Sequence, residues 1–357
     1  MIALLLAAVL TAGHPAPSAA APLPLSPASR GKREAAGGGK GEGETPDQVA
    51  KRYGLAGEML VARGDKVLLD RGYGPIAPTG GPAHKAGERW RLASITKQVT
   101  AALVMQDVAN GKLALDGNYA WVADAPFVGA TPRMLLTHES GVFDPDDTPK
   151  NAAGVPSFYT SATPSFSYCY SVGARVAPFK YNNCDYILVG EMLRFPGAHP
   201  LEARWLPGMA MAVAGEKGVP GFVGGKPEPA FELANWGAAG GLMGTARAVF
   251  DFDRSLMTGK LLPPAALAEL WKPEGNGSYQ ALGQWVFPGK LKGCAAPKRI
   301  VQRDGEIYGV QARNFILPDD DLVVIVFTNR SSDDFAIGEV WQGKGFAYDL
   351  LSAAACA

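Results

Sequence analysis

Strand-like runs stand at both ends of the patterned part of this chain and helical runs fill its middle, and no other feature restricts the architecture as much. Near the N-terminus, "EMLVARGDKVLLDRGYG" reads as two short apolar strands turning at Gly64-Asp65. Near the C-terminus, "RIVQRDG" reads as a strand, and "YGVQARNFILPDDDLVVIVFTN" as a hairpin turning between Pro318 and Asp321. Before the first strands, Thr45 and Pro46 predict the cap and first turn of a helix that runs through Tyr53 and ends at Gly54. "TARAVFDFDRSLMTG" predicts a helix capped by Thr245 and closed near Gly259, and a last helix is expected over about 338 to 354. Between about 112 and 260, helices alternate with long irregular stretches. The fold class that follows is α+β: an antiparallel sheet formed from N- and C-terminal segments, flanked by helices, with an inserted, mainly helical domain. The junction of sheet and insertion is the expected place for a site.

At 357 residues and 47% apolar, the chain can bury a substantial core. Lys plus Arg equals Asp plus Glu at 34 each, so no global field draws it to nucleic acid or to an acidic membrane. The opening "MIALLLAAVLTAGHPAPSAAAPLP" predicts a secretory signal over residues 1–20, cleaved near Ala20. Its apolar run falls short of the ~18 residues a membrane span needs, so the processed protein is expected to be soluble, secreted or periplasmic. Residues 21–44, mixing Pro, Gly and charge without period, predict a flexible leader, and 45–352 the functional domain. Cys169, Cys184, Cys294 and Cys356 allow three pairings. Loop length favours Cys169 with Cys184, and elimination then leaves Cys294 with Cys356; four unpaired buried thiols are the alternative. Their spacing fits no metal site, and no metal or diffusible cofactor is expected.

The chemistry-bearing stretch is "RLASITKQVTAALVMQDVANG", where Ser94 precedes Lys97 by one helical turn. Residues three apart share a helix face, so hydroxyl and amine can meet there, and a desolvated lysine can lose its proton and activate the serine. The helix expected from Ser94 to Gly111 is apolar around most of its circumference, which predicts burial. Taken alone the pair proves nothing, since Ser29 and Lys32 show the same spacing in the leader. A second signal is Tyr181-x-Asn183 before the apolar run "CDYILVGEML"; no other of the 11 tyrosines has Asn two residues later.

With these residues in order, and with "LLTHESG" and "AAGGLMGTARAVFDFDRSLMTGKLL" around them, the chain resembles the serine β-lactamase and penicillin-binding protein superfamily, in its class C β-lactamase, D-peptidase and esterase branch, from about residue 47 to 352. The resemblance implies a β-lactamase/transpeptidase-like fold, with Ser94 the acylated nucleophile and Lys97 its activating amine. It further implies that Tyr181 shuttles a proton to the leaving group, that Asn183 binds the substrate amide, and that the backbone N–H groups of Ser94 and Glu306 form the oxyanion hole.

The third motif of that branch, Lys-Thr-Gly or His-x-Gly, is missing; the aligned residues are Arg303-Asp304-Gly305. Arginine keeps the charge but cannot release a proton, and its planar fork of donors suits a carboxylate. Arg303, Gly305, Glu306 and Asn183 are therefore the expected substrate-binding residues, the alternative for Arg303 being a surface strand residue paired with Asp304 or Glu306. His138 is expected to be a structural loop histidine. The expected function is an exported serine hydrolase acting through an acyl-enzyme on a small-molecule or peptide substrate, an ester or D-peptide amide. The rivals are a β-lactamase or D-alanyl-D-alanine carboxypeptidase, and a non-catalytic binding protein with the same fold.

Overall fold

The computed structural model describes residues 43–119, 121–122, 125–126, 129–152, 154–161, 168–169, 177–194, 207–274 and 278–356. The expected signal segment and the leader up to residue 42 lie outside these. Where local chemistry sets an element, the observed bounds follow it closely. Helix α1, Pro46–Tyr53, starts at a capping box between Thr45 and Gln48 and ends at Gly54 in the left-handed conformation (φ 69°). Strands β1 (Gly57–Arg63) and β2 (Lys66–Tyr73) form the expected hairpin.

Helix α2, Thr96–Ala109, is buried along nearly its whole length. Helices α3 (Asn183–Arg194) and α4 (Ala246–Met257) follow, the latter capped by the Thr245 hydroxyl accepting the Ala248 N–H. The C-terminal half then supplies β3 (Gln280–Ala281), β4 (Gln284–Gly289), β5 (Lys298–Ile307), β6 (Val310–Leu317), β7 (Leu322–Thr328) and helix α5 (Phe346–Ala355).

The main sheet is antiparallel in the order β3-β4-β5-β6-β7-β1-β2. The N-terminal strand thus pairs with the C-terminal one, Gly57 opposite Thr328 and Arg63 opposite Leu322. Alternation sends Leu60, Val323, Ile325 and Phe327 to one face, where α2 and α4 lie, and Met59, Val61, Val324 and Val326 to the other, against α1 and α5. A sheet covered on both faces explains why β7 reads as the unbroken apolar run "LVVIVFT". Helix α5 starts later than its apolar pattern implies, because Gly343 and Gly345 take positive φ (66° and 97°) and delay it to Phe346. Both disulfides follow the expected pairing, Cys169–Cys184 favoured by loop length and Cys294–Cys356 left by elimination. The first anchors the start of α3 and the second ties the end of α5 to the loop after β4. No helix among the described residues is long and apolar enough to cross a membrane.

A small second sheet joins Trp90–Arg91 to Leu242–Gly244, and this strand delivers the chain to Ser94. Trp90 is held from below by Glu58, whose carboxylate accepts the indole N–H at 2.7 Å and the Gly87 N–H at 2.8 Å. Burial raises the Glu58 carboxyl from 4.5 to about 7. In the unfolded chain it ionises near 4.5, so its contribution to stability is complete below that pH and is lost as pH rises through about 7. That loss is on the order of 3 kcal/mol. Thermal melts at pH 5 and pH 8 should therefore show a pH-dependent drop that is much smaller in Glu58→Gln, whatever that substitution does at pH 5; equal drops would mean Glu58 does not titrate in this range.

Candidate active site

Leu92–Ala93–Ser94 leaves the small sheet and enters α2 through a single 3-10 turn, Ala93–Ile95. Ala93 sits at φ 46°, a conformation few residues other than glycine adopt. Such strain beside a reactive side chain persists only where the surroundings over-determine it. Here they do: β5 presses against the turn so closely that a Cβ on Gly305 would lie 2.4 Å from the Leu92 carbonyl and 3.3 Å from the Ser94 nitrogen. Glycine at 305 is therefore a matter of space, and it brings the backbone of β5 alongside the Ser94 N–H.

The pairing of β5 bears on the same point. Strand β4 accompanies β5 only as far as Gln302, leaving 303–307 without a partner on that side. The two-residue turn at Tyr308-Gly309 makes Ile307–Val310 the closing, doubly bonded pair, and bonded pairs then alternate through Gly305–Ala312. Glu306, opposite Gln311 in a non-bonded pair, consequently turns its N–H away from β6 toward the open edge.

Three of the expected residues, Lys97, Tyr181 and Asn183, gather around Ser94. Its Oγ lies 2.6 Å from the Tyr181 hydroxyl and 3.2 Å from Lys97 Nζ. Lys97 also donates to Asn183 Oδ1 (2.7 Å) and to the Ala239 carbonyl (2.8 Å) and is wholly buried. Asn183 Nδ2 in turn faces Asp146 Oδ2 at 3.4 Å. Burial, and then the charge of Arg303, hold the Lys97 amine well below its ordinary value, against the opposing pull of Asp146, Asp144 and Asp185. A neutral amine has two hydrogens and one lone pair. Asn183 Oδ1 and the Ala239 carbonyl can only accept, so they take both hydrogens and leave the lone pair for the Ser94 hydroxyl. Tyr181 is half-buried, and burial raises its phenol, partly offset by Arg303 and by the bond to Ser94.

Arg303 is 0% exposed, so it is not the surface ion pair of the alternative reading. Nor is its fork turned to the solvent side: Nε donates to the Ser94 carbonyl at 2.9 Å and Nη2 to the Tyr181 oxygen at 3.1 Å. Its guanidinium packs over the Trp285 and Tyr181 rings, with centroids 4.9 and 5.5 Å away.

His138 is buried, with its Nδ1 facing Asp185 Oδ2 at 3.0 Å and the Asn182 N–H at 3.3 Å, and its ring 4.6 Å from that of Tyr181. Burial, and then the charge of Arg303, lower its basicity well below normal, and its ring backs that of Tyr181. Ser140 is likewise buried and donates to Asp185. Two partners escaped sequence reasoning, the Ala239 carbonyl and Asp146 behind Asn183, while Trp236 and Tyr308, aromatics the sequence offered as cleft or core, pack with Tyr159 and Phe231. Ala239 lies inside the quoted "AAGGLMG" stretch, the one signal that pointed there. Among the described residues, no three His, Cys, Asp or Glu side chains form a group that could hold a metal ion.

Comparison with known proteins agrees with this architecture. A penicillin-binding protein from Bacillus halodurans superposes with a TM-score of 0.67 at 21% identity, covering 86% of this chain and 97% of that one. The D-amino acid amidase of Ochrobactrum anthropi SV3, complexed with L-phenylalanine, superposes with a TM-score of 0.67 at 18% identity over 86% of this chain and 96% of its own. In sequence, the esterase EstB of Burkholderia gladioli is 34% identical over 105 residues, a match that spans only 27% of each protein. The Beta-lactamase family model matches residues 46–342, which take in every strand of the main sheet and the segment between its two parts. The chain thus belongs to the Beta-lactamase family, whose fold accounts for the sheet built from both chain ends and the helical domain set between them.

Proposed function

We propose that this protein is an exported serine hydrolase that forms an acyl-enzyme at Ser94 and hydrolyses an ester or a D-peptide amide. The observation that carries the reading is the placement of Ser94 Oγ between the Tyr181 hydroxyl and a buried Lys97 amine. In the first step Ser94 attacks the acyl carbon while its proton passes to the Lys97 lone pair, and the developing oxyanion is held by the N–H groups of Ser94 and Glu306. Tyr181, hydrogen-bonded to Ser94 Oγ, protonates the leaving group as the tetrahedral intermediate collapses. Water then attacks the acyl-enzyme, and the same groups return the protons. Asn183 binds the substrate amide or acyl oxygen while holding Lys97. Both disulfides and the N-terminal segment support export to an oxidising compartment.

Incubation with a fluorophosphonate and, in parallel, with a fluorescent penicillin, followed by intact mass and peptide mapping, tests this. A phosphonate adduct on Ser94 is expected. A stable penicillin adduct at Ser94 would favour the penicillin-binding reading, and no adduct with either reagent would favour a non-catalytic binding protein.

A further inference from the structure

Resting on the acyl-enzyme reading, we propose that Arg303 is a positioning residue for Tyr181 and Ser94 and not a receptor for substrate, so that the site takes esters or amides with no carboxylate on the leaving-group side. An arginine suited to a carboxylate must expose one edge of its fork. Arg303 exposes none. Two of its nitrogens are committed, Nε to the Ser94 carbonyl and Nη2 to the Tyr181 oxygen, and the third, Nη1, is buried without a partner. Trp285 and Tyr181 pack against the guanidinium, which adds to its burial.

The bonds Arg303 makes do a different job. A donor aimed at the Tyr181 oxygen occupies one of its lone pairs, and with both Lys97 hydrogens taken by Asn183 and Ala239 the Ser94 hydrogen goes to the Lys97 lone pair, which leaves the phenol's hydrogen for Ser94 Oγ. The network then has one proton direction, from Tyr181 through Ser94 to Lys97. Lysine or histidine could reverse such a bond by losing a proton; arginine cannot.

The charged groups on the open side oppose a second carboxylate. Asp146 acts on Lys97 and Tyr308, with Asp144 close to it, whereas Glu228, which also acts on Tyr308, is already paired with buried Arg91. Lys180, next to Tyr181 in sequence, is turned to Asp147 at 3.3 Å. Phe143 and Phe179 are the large apolar side chains left partly exposed beside this rim, Phe179 against His138 and the Phe143 carbonyl bonded to Asn182. A neutral, aromatic or apolar leaving group suits these surroundings, and an anionic one meets like charge.

The test uses two aryl esters with one acyl group, their phenols bearing either a carboxamide or a carboxylate. In the wild type, kcat/KM for the neutral ester should exceed that for the anionic one by about 10-fold or more. Arg303→Ala should lower kcat for both esters by roughly 10- to 100-fold, with KM little changed and their ratio preserved, the scale of one charge-assisted hydrogen bond made in the transition state. Arg303→Lys, which can keep one of the two bonds, should recover part of that loss. A wild-type preference for the carboxylate, or a ratio that moves toward the neutral ester in either variant, would make Arg303 a substrate receptor and overturn the proposal. If Arg303→Ala does not fold, the wild-type ratio and Arg303→Lys still decide. Fluorophosphonate labelling of Ser94 is the separate control: its failure removes the acyl-enzyme reading, whereas labelling with a carboxylate preference removes this inference alone.

Discussion

Ser94→Ala should lower kcat by at least ~10³-fold on any ester or amide the protein turns over, with secondary structure and melting temperature preserved. The side chain sits at the end of a strained turn held by β5, and alanine fits that space, so the expected loss is chemical. Lys97→Ala should be about as damaging, because nucleophile and base act as one unit. The two differ in pH dependence. In the wild type, activity requires Lys97 without its proton, so kcat/KM falls as pH drops through the amine's value, which burial and Arg303 hold well below 10.5. The residual activity of Lys97→Ala should lack that acid limb. Lys97→Arg should be inactive despite keeping the charge, since arginine stays protonated. An adduct mapped to Ser140 would defeat this assignment, although that hydroxyl is already buried against Asp185.

What the sequence made legible was whatever local chemistry decides. Thr45, Gln48 and Gly54 bound a helix by caps that need no distant partner. The hairpins at Gly64-Asp65 and at Pro318–Asp321 follow from turn residues between apolar runs, and the pairing of chain ends follows because strands with two apolar faces must be covered on both. Strands β3 and β4 were not legible: Gly283 separates them and Pro288 interrupts the second, so the segment lacks a clean period, and only pairing with β5 makes it a strand.

The site divides the same way. Side chains with distinctive spacing, Ser94, Lys97, Tyr181 and Asn183, were visible and are brought together. The Ala239 carbonyl was not, because a backbone acceptor has no residue-type signature and its position is set by the packing of α2 against 237–240. For Arg303 the sequence conveyed the charge but not its direction. Alternation puts Arg303 and Gly305 on one face of β5, and Gly305 must lie against Leu92 for want of space. An inward guanidinium was therefore latent in the pattern, but the closeness of β5 to the Ser94 turn is a tertiary fact.

Tyr181→Phe should separate substrates by their leaving groups. The phenol has one hydrogen, Arg303 donates to its oxygen at 3.1 Å, and Ser94 Oγ stands at 2.6 Å, so the hydrogen lies on the path to the leaving atom. Burial raises Tyr181 above its ordinary 10.0, which keeps it protonated at neutral pH and suits it to be the acid, with Lys97 the base. Phenylalanine keeps the ring against His138 and Arg303 and removes only the oxygen. An amide cannot depart without a proton, so its kcat/KM should fall by about 10²- to 10⁴-fold, the usual range for general acid catalysis. An activated aryl ester, whose phenolate leaves unaided, should lose far less, on the order of 10-fold from the displaced Arg303 bond. Plotted against leaving-group basicity, the variant's rates should therefore fall more steeply than those of the wild type. Equal losses across the series would reduce Tyr181 to a packing and orienting side chain. The leaving group's proton would then have to come from Lys97, which had just received it from Ser94.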